Sequence, residues 1–147
     1  RENFAKVYLY YKDEVLEAII LPVRGLGLWG TLYGYMALES DLQTVIGLEF
    51  YKHKETPGLG AEVNNPKWKA LWKGKKIYDA NDEVILSVIK GQVKRNSPSS
   101  LYEVDGLSGA TITSKGVTNL LHFWLGKMGY GPYLKKLKES NLGNSNV

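Results

Sequence analysis

Residues 105–116, DGLSGATITSKG, carry four hydroxyl side chains within seven positions, next to a glycine and an alanine. A hydroxyl nucleophile normally needs a base beside it, and this stretch contains neither His nor Cys. The residue types are therefore compatible with two interpretations. The stretch is either the start of a helix rich in Ser and Thr, or a point at which another group is attached.

The residues that follow this stretch predict the clearest helix in the chain, because Val117, Leu120, Leu121, Trp124 and Met128 keep a 3.6-residue period. The first amides of a helix lack internal partners and carry partial positive charge, so a phosphate would be held well there. The small Gly109 and Ala110 would leave room for it, and Lys115 would add a charge. The alternative is that Thr113 or Ser114 only caps the helix.

Residues 25–30, GLGLWG, match the dinucleotide-binding pattern G-x-G-x-x-G. That pattern needs a strand before it and a helix after it, whereas residues 31–38 alternate as a strand does. We therefore interpret the stretch as a glycine-rich turn between two strands. Trp29 in this turn is either a core side chain or an exposed stacking surface, and the periodicity alone favours the core.

Residues 55–60, ETPGLG, form a rigid turn, because proline fixes one backbone torsion and glycine adopts torsions closed to other residues. As a plain loop, this turn would only connect the sheet to the next helix. As a binding loop, it would hold a polar ligand edge with its amides and the side chains of Glu55 and Thr56. The residues alone favour the plain loop.

Residues 67–76, KWKALWKGKK, interleave five lysines with two tryptophans, a composition that could suggest nucleic acid. Trp68, Leu71 and Trp72, however, form one helical stripe that begins after Asn65 as the cap. We therefore expect the tryptophans to face the core and the lysines to face solvent, and we predict no nucleic-acid partner.

The pattern of the whole chain predicts an α+β fold, with a largely antiparallel sheet and one or two packed helices in a single domain. Two hairpins account for the first half, and Gly34 and Gly47 within their strands indicate bulges or close backbone approach. Strands are predicted at residues 6–11, 15–23, 31–38 and 44–51, with shorter ones at 76–78, 83–90 and 101–104, and one helical turn at 134–137. The domain is expected to span residues 1–139, followed by a flexible polar tail at 140–147.

Composition excludes several classes of chemistry. The 147 residues include no cysteine and two histidines, which excludes disulfides and thiolate metal sites and leaves too few ligands for a histidine metal cluster. We therefore predict no metal site, and we identify no catalytic acid or base. The net charge of +4 permits an anionic ligand without requiring nucleic acid.

Residues 105–111 resemble the flavinylation motif Asp-x-x-Ser/Thr-Gly-Ala-Thr of the FMN-binding domain family. Three further landmarks, GLGLWG, FYKHKETPGLGAE and WKGK, accompany the motif. Together they are similar to the flavin-carrying subunits of Na⁺-translocating NADH:quinone reductases. The related subunits of Rnf-type electron transport complexes are the alternative.

The resemblance implies that FMN is joined through its phosphate to Thr111. A separate flavin transferase, which uses FAD and Mg²⁺, would perform the reaction, so the chain itself needs no base. Thr113 is the competing acceptor. The resemblance further implies that the flavin ring lies near Trp29 and Leu59, with polar contacts from Glu55 and Thr56. The remaining implied FMN-binding residues are Ser108, Gly109, Ala110, Thr113 and Lys115.

The resemblance also implies an electron-relay function in a respiratory complex of the bacterial inner membrane. The expected partners are the other subunits of the reductase and the flavin transferase. The domain would lie on the extracytoplasmic side, anchored by an N-terminal transmembrane helix that this sequence lacks. A non-redox module that binds a phosphate-bearing ligand is the second hypothesis.

Overall fold

The first half of the chain folds as an antiparallel meander of four strands in the order β1-β2-β3-β4. The computed structural model describes residues 6–145, and the surroundings of side chains up to residue 140. The strands are β1 (Tyr8–Lys12), β2 (Val15–Leu26), β3 (Thr31–Glu39), β4 (Val45–Lys52), β5 (Ser87–Val88) and β6 (Glu103–Val104), and the helices are α1 (Pro66–Ala70), α2 (Thr111–Leu125) and α3 (Gly131–Ser145). The two predicted hairpins and the α+β class are confirmed.

One face of the meander builds the core. Side chains alternate between the two faces of a strand, and the inward positions of β2, β3 and β4 are filled by Leu21, Val23, Met36, Leu38, Leu48 and Phe50. Helix α2 packs across β2 and contributes Val117, Leu120 and Leu121. Each such side chain stabilises the fold by about 1.5–3 kcal/mol when fully buried.

The two glycines predicted to mark bulges lie next to register shifts in the pairing of β3 with β4. At Gly34 the reason is close approach, because a Cβ there would lie 2.5 Å from the carbonyl oxygen of Glu49. At Gly47 no atom of the described residues lies within 4 Å of an added Cβ. The first glycine is therefore required by packing, whereas the second is not.

Helix α1 begins as the sequence predicts. The Asn65 side chain accepts a 2.9 Å hydrogen bond from the amide of Lys67, and Pro66 occupies the first helical position. Trp68 and Trp72 are buried, and Lys67 faces solvent. The core-facing tryptophans are confirmed, but the helix ends at Ala70, and Trp72 lies in the turn that follows. The expectation that the lysines face solvent holds only in part, because Lys69, Lys75 and Lys76 are half-buried and hydrogen-bonded.

The strand predictions in the middle of the chain are largely wrong. Of residues 76–78 and 83–90, only β5 forms a ladder, and it pairs in parallel with the two-residue β6. A 3₁₀ helix, Pro98–Tyr102, occupies half of the strand predicted at 101–104. An apolar run indicates that a segment is buried, but it does not indicate whether the segment pairs with another strand. Residues 76–78 and 83–86 make only isolated bridges, Lys76 with Thr44 and Tyr78 with Val84. At β5, the amide of Val88 donates to a side chain of α2, Thr118 Oγ1, at 2.9 Å.

The last two helices differ in length from the sequence prediction. Helix α2 begins inside the 105–116 stretch and ends at Leu125, because Gly126 leaves the helical conformation, and Met128 lies beyond it and is exposed. Helix α3 spans 15 residues, where one turn was predicted. Proline is favoured in the first turn of a helix, and Pro132 lies there, as the second residue of α3. No helix among residues 6–145 combines the length and apolar character needed to cross a membrane.

Candidate functional site

Thr111 is the first residue of α2, and its side chain is exposed. The preceding cap position is Ala110, which makes no side-chain hydrogen bond to the helix start. Thr113 and Ser114, the two predicted caps, are both buried and engaged elsewhere: Thr113 Oγ1 donates to Glu55, and Ser114 Oγ donates to the carbonyl of Ala110 at 3.1 Å. The capping interpretation is therefore wrong, and the first turn of α2 is left without a side-chain cap.

Two glycines bring the start of α2 against the end of β2. A Cβ on Gly116 would lie 2.1 Å from the carbonyl oxygen of Leu26, and a Cβ on Gly25 would lie 2.5 Å from Cβ of Leu120. This close contact places the 105–116 stretch beside the β2–β3 turn. This contact was not predicted, although an isolated glycine inside a helical pattern, such as Gly116, often has a packing reason.

The β2–β3 turn holds Trp29 outside the core. The turn is closed by a 2.8 Å bond from the amide of Gly27 to the carbonyl of Gly30. The side chain of Trp29 is 63% exposed, so the core interpretation of this residue is wrong. The alternation of buried and exposed side chains in β2 ends at Leu26, and Trp29 lies beyond the end of that strand. Its Nε1 donates to Thr56 Oγ1 at 3.1 Å, which restrains the indole.

The 55–60 loop reaches the 105–116 stretch. The amides of Leu59 and Ala61 donate to the carbonyl of Thr56 at 3.0 and 3.1 Å and close the turn. Leu59 is 43% exposed, and its Cδ2 would lie 3.0 Å from a Cβ added to Gly109. Gly109 also has a φ of +72°, a conformation that favours glycine. The loop, Trp29 and the helix start therefore meet at one surface.

Glu55, which was predicted to contact the ligand, has its carboxylate occupied by hydrogen bonds within the protein. It is 6% exposed and accepts hydrogen bonds from the amides of Leu28 (2.9 Å) and Trp29 (3.0 Å) and from the hydroxyl of Thr113 (2.5 Å). Burial raises the pKa of Glu55, but these hydrogen bonds outweigh burial and hold the pKa below its ordinary value. The carboxylate is ionised at neutral pH and binds donors of the protein itself.

The other predicted residues surround Thr111. Ser108 and Gly109 are exposed and Ala110 is buried, while Lys115 is exposed one helical turn after Thr111. The position of this loop also depends on Asp105, whose carbonyl accepts from Trp68 Nε1 at 2.8 Å and whose carboxylate accepts from the amide of Val93 at 2.8 Å. Asp105, the acidic residue of the motif, thus anchors the loop to Trp68 and Val93.

The two ends of this surface differ in chemical character. One part presents the exposed indole of Trp29 and the exposed Leu59, and the other presents small residues and an uncapped helix start at Thr111. An aromatic face suits a planar ring, and a helix N-terminus suits a phosphate. The residues present therefore fit a ligand such as FMN, with a planar ring at one end and a phosphate at the other.

The fold and this surface define a flavin-binding module. Residues 27–126 match the FMN-binding domain family, so the chain belongs to that family. It is similar to the C subunit of the Na⁺-translocating NADH-quinone reductase of Pseudomonas aeruginosa, with 58% identity over 139 residues that cover 95% of this chain and 53% of that protein. The C subunit of the Yersinia pestis reductase is 44% identical over 145 residues, which cover 98% of this chain and 53% of that protein. The chain thus spans about half the length of these relatives.

Solved structures agree with this assignment. The crystal structure of NqrC from Shewanella oneidensis superposes with a TM-score of 0.87 at 38% identity, covering 95% of this chain and 63% of that chain. The C subunit of the Na⁺-translocating NADH-quinone reductase from Parabacteroides distasonis superposes with a TM-score of 0.71 at 40% identity, covering 88% of this chain and 62% of that chain.

Proposed function

We propose that this chain is the FMN-carrying electron-transfer domain of the C subunit in a Na⁺-translocating NADH:quinone reductase, with the flavin attached by a phosphoester bond to Thr111. The observation that carries the proposal is the contrast between two threonines in one helical turn. Thr111 is exposed, whereas Thr113 is 1% exposed and donates its hydroxyl proton to Glu55. Family membership supports FMN as the ligand, and the relatives from Pseudomonas aeruginosa and Yersinia pestis support the complex.

Attachment at Thr111 requires only that its hydroxyl be accessible. With FAD as the donor, the bond from the threonine oxygen to the FMN phosphorus forms while the bond to the AMP part of FAD breaks, and the hydroxyl proton is lost. A separate flavin transferase with Mg²⁺ would activate these groups. An exposed hydroxyl at the first position of α2 is the substrate that such an enzyme needs.

The helix start would hold the attached phosphate. The first turn of α2 has no side-chain cap, so its amides and the positive end of the helix dipole are available to an anion. Esterification leaves the phosphate one negative charge, which Lys115 would partly balance from one turn along the helix. Gly109, whose φ of +72° favours glycine, adds no side chain beside the phosphate.

The ring would lie at the other part of the surface. Trp29 offers an exposed aromatic face, and its bond to Thr56 restrains that face. Leu59 would cover a second part of the ring. When bound, FMN supplies the one-electron redox chemistry, and these residues fix its position.

A covalent link suits so open a surface. The link gives the ring an effective concentration of about millimolar, so tight binding by burial is unnecessary. An open ring edge also allows electrons to pass to neighbouring subunits. We propose that the chain works with other subunits of the reductase at the bacterial inner membrane, on its extracytoplasmic side, and that acid–base steps occur elsewhere in the complex.

The experiment is to co-express the chain with a flavin transferase and to measure its intact mass after denaturation. We expect a gain of one FMN less one water, located by peptide mapping on Thr111. Thr111→Val should lose this mass entirely, because it removes the acceptor oxygen and keeps the shape of the side chain.

Two control variants separate the acceptor from its neighbours. Thr111→Ser keeps a hydroxyl at the same place and should retain the added mass. Thr113→Val removes the buried hydroxyl and should also retain the added mass on Thr111. Flavin that leaves the protein on acid precipitation, or a modified peptide in which Thr111 is unmodified, would refute the proposed linkage.

A further inference from the structure

The carboxylate of Glu55 joins three segments that are distant in sequence. Oε1 accepts from the amide of Leu28 at 2.9 Å and from Thr113 Oγ1 at 2.5 Å, and Oε2 accepts from the amide of Trp29 at 3.0 Å. The β2–β3 turn and the first turn of α2 are thus bound to one side chain of the 55–60 loop. An ionised carboxylate can accept all three bonds because it has only acceptor sites.

The space around this carboxylate is kept open by two glycines from different loops. A Cβ on Gly27 would lie 2.6 Å from Oε1 of Glu55, and a Cβ on Gly60 would lie 2.6 Å from Oγ1 of Thr113. Glu55 is 6% exposed and Thr113 is 1% exposed. The enclosed geometry leaves the carboxylate directed at donors of the protein, and leaves little of it for a ligand.

The three bonds connect the two functional parts of the surface. Thr113 lies two residues after Thr111 in the first turn of α2, so the bond to Glu55 holds the helix end that carries the acceptor. The bond to the amide of Trp29 holds the turn that carries the exposed indole. One side chain therefore sets the distance and angle between the attachment point and the stacking surface.

We infer that Glu55 is a positioning residue, which fixes the indole of Trp29 relative to the hydroxyl of Thr111 without itself binding the flavin ring. This inference rests on the proposed attachment of FMN at Thr111. The resemblance implied that Glu55 makes a direct polar contact with the ring. We infer instead that Glu55 acts indirectly, through the amide of Trp29 and the hydroxyl of Thr113.

The test uses protein co-expressed with a flavin transferase and two flavin signals, the fluorescence yield and the circular dichroism of the visible band. Both signals report how the ring is held, because a stacked indole quenches flavin fluorescence and a fixed asymmetric environment induces the dichroism. Glu55→Gln keeps the size of the side chain but replaces one acceptor oxygen by an NH₂ group. That group then faces the amide of Leu28 or of Trp29, each of which is itself a donor, so at least one of the hydrogen bonds is lost. We expect the mass of FMN on Thr111 to remain, the fluorescence to rise severalfold and the dichroism to fall by at least half.

Substitutions at Thr113 test the same link with less disturbance. Thr113→Val removes one of the three donors and should change both signals in the same direction by a smaller factor. Thr113→Ser restores the hydroxyl and should restore both signals to the wild-type values, which loss of packing alone would not predict. Glu62→Gln is the matched control, since among the described residues the Glu62 carboxylate accepts a hydrogen bond from Asn65 Nδ2 of its own segment, at 2.9 Å, and bonds to neither the β2–β3 turn nor α2. It should leave both signals unchanged.

The possible outcomes separate the two proposals. Wild-type fluorescence and dichroism in Glu55→Gln, with FMN present on Thr111, would overturn the positioning role and leave the attachment site standing. If Glu55→Gln does not fold, Thr113→Val decides, and wild-type signals in that variant overturn the role. A wild-type protein without FMN on Thr111 would refute the proposed function, and the inference with it.

Discussion

The carbonyl oxygen of Leu26 lies 2.1 Å from the position that a Cβ on Gly116 would occupy. Because a backbone oxygen at the end of β2 has little freedom to move, Gly116→Ala should push α2 away from the sheet. We expect a loss of about 1–3 kcal/mol in the free energy of unfolding, the range typical of overpacking. Equilibrium urea denaturation measures this loss directly.

Gly47→Ala is the control for this substitution. In the part of the chain that the structure describes, an added Cβ at Gly47 would have no neighbour within 4 Å, so the change should alter the free energy of unfolding by less than about 0.5 kcal/mol. Equal losses at the two positions would mean that the contact between α2 and β2 is looser than described. The same comparison in flavin-loaded protein should show a lower yield of attachment for Gly116→Ala only.

The two tryptophans Trp29 and Trp72 should respond in opposite ways to replacement by alanine. Trp29 is 63% exposed and Trp72 is fully buried. Trp29→Ala should therefore leave the free energy of unfolding nearly unchanged, whereas Trp72→Ala should lower it by about 3–5 kcal/mol. Thermal unfolding followed by far-ultraviolet circular dichroism distinguishes them. A large destabilisation by Trp29→Ala would show that the indole packs in the core after all.

The contrast between these tryptophans shows how far the sequence predicts the fold. The stripe of Trp68, Leu71 and Trp72 follows the helical period, and the period correctly predicted which side chains face the core. Trp29 lies in a turn, where side chains follow no regular period. Extending the strand period into the turn predicted that Trp29 is buried, whereas it is exposed. Local pattern therefore predicts burial inside regular elements and fails at the connections, where most of the candidate site lies.

The site residues divide in the same way. Residue types single out the stretch around Thr111, because small residues and hydroxyls before a helix are a local signal, but they leave open whether it caps the helix or carries an attached group. The bond from Thr113 to Glu55 could not, because the two residues are 58 positions apart and neither has an unusual neighbour in sequence. Contacts of that range depend on how the β2–β3 turn and α2 pack together, which only the tertiary structure reveals.

Asp41 should contribute to stability in a pH-dependent way. Burial raises the pKa of Asp41, but hydrogen bonds from the Thr44 hydroxyl, the amides of Gln43 and Thr44, and Lys76 outweigh it and lower the pKa from 3.8 to about 2. A lowered folded-state pKa means that the stabilisation is present above pH 3.8 and is lost as the pH falls toward 2. Because the side chain is 39% exposed, we expect only about 1 kcal/mol after solvent screening.

The measurement compares the wild type with Asp41→Asn by urea denaturation between neutral pH and the lowest pH at which unfolding is reversible. The difference in free energy of unfolding should be constant near neutrality and should shrink below pH 3.8. Glu17→Gln, at an exposed position of β2, is the control and should cost less than about 0.5 kcal/mol. A difference that grows on acidification would contradict the assigned hydrogen bonds.

Tyr78, which is not part of α2, hydrogen-bonds to the C-terminal end of that helix. Its hydroxyl donates a 2.7 Å hydrogen bond to the carbonyl oxygen of Leu125, the last residue of α2. Burial and the charge of Asp82 raise the pKa of Tyr78, so its hydroxyl stays protonated in the folded protein. Tyr78→Phe should lower the free energy of unfolding by about 1 kcal/mol near neutral pH, because it removes one hydrogen bond and keeps the ring.

The alkaline behaviour of the same variant tests the origin of this effect. In the unfolded chain, tyrosine ionises near pH 10, and the raised folded-state pKa means that the stabilisation from Tyr78 is present below that pH and declines above it. The difference between wild type and Tyr78→Phe should therefore shrink as the pH rises past about 10. Denaturation at pH 7 and above pH 10 measures it, and a difference that persists unchanged at high pH would show that the stabilisation does not depend on the ionisation of the Tyr78 hydroxyl.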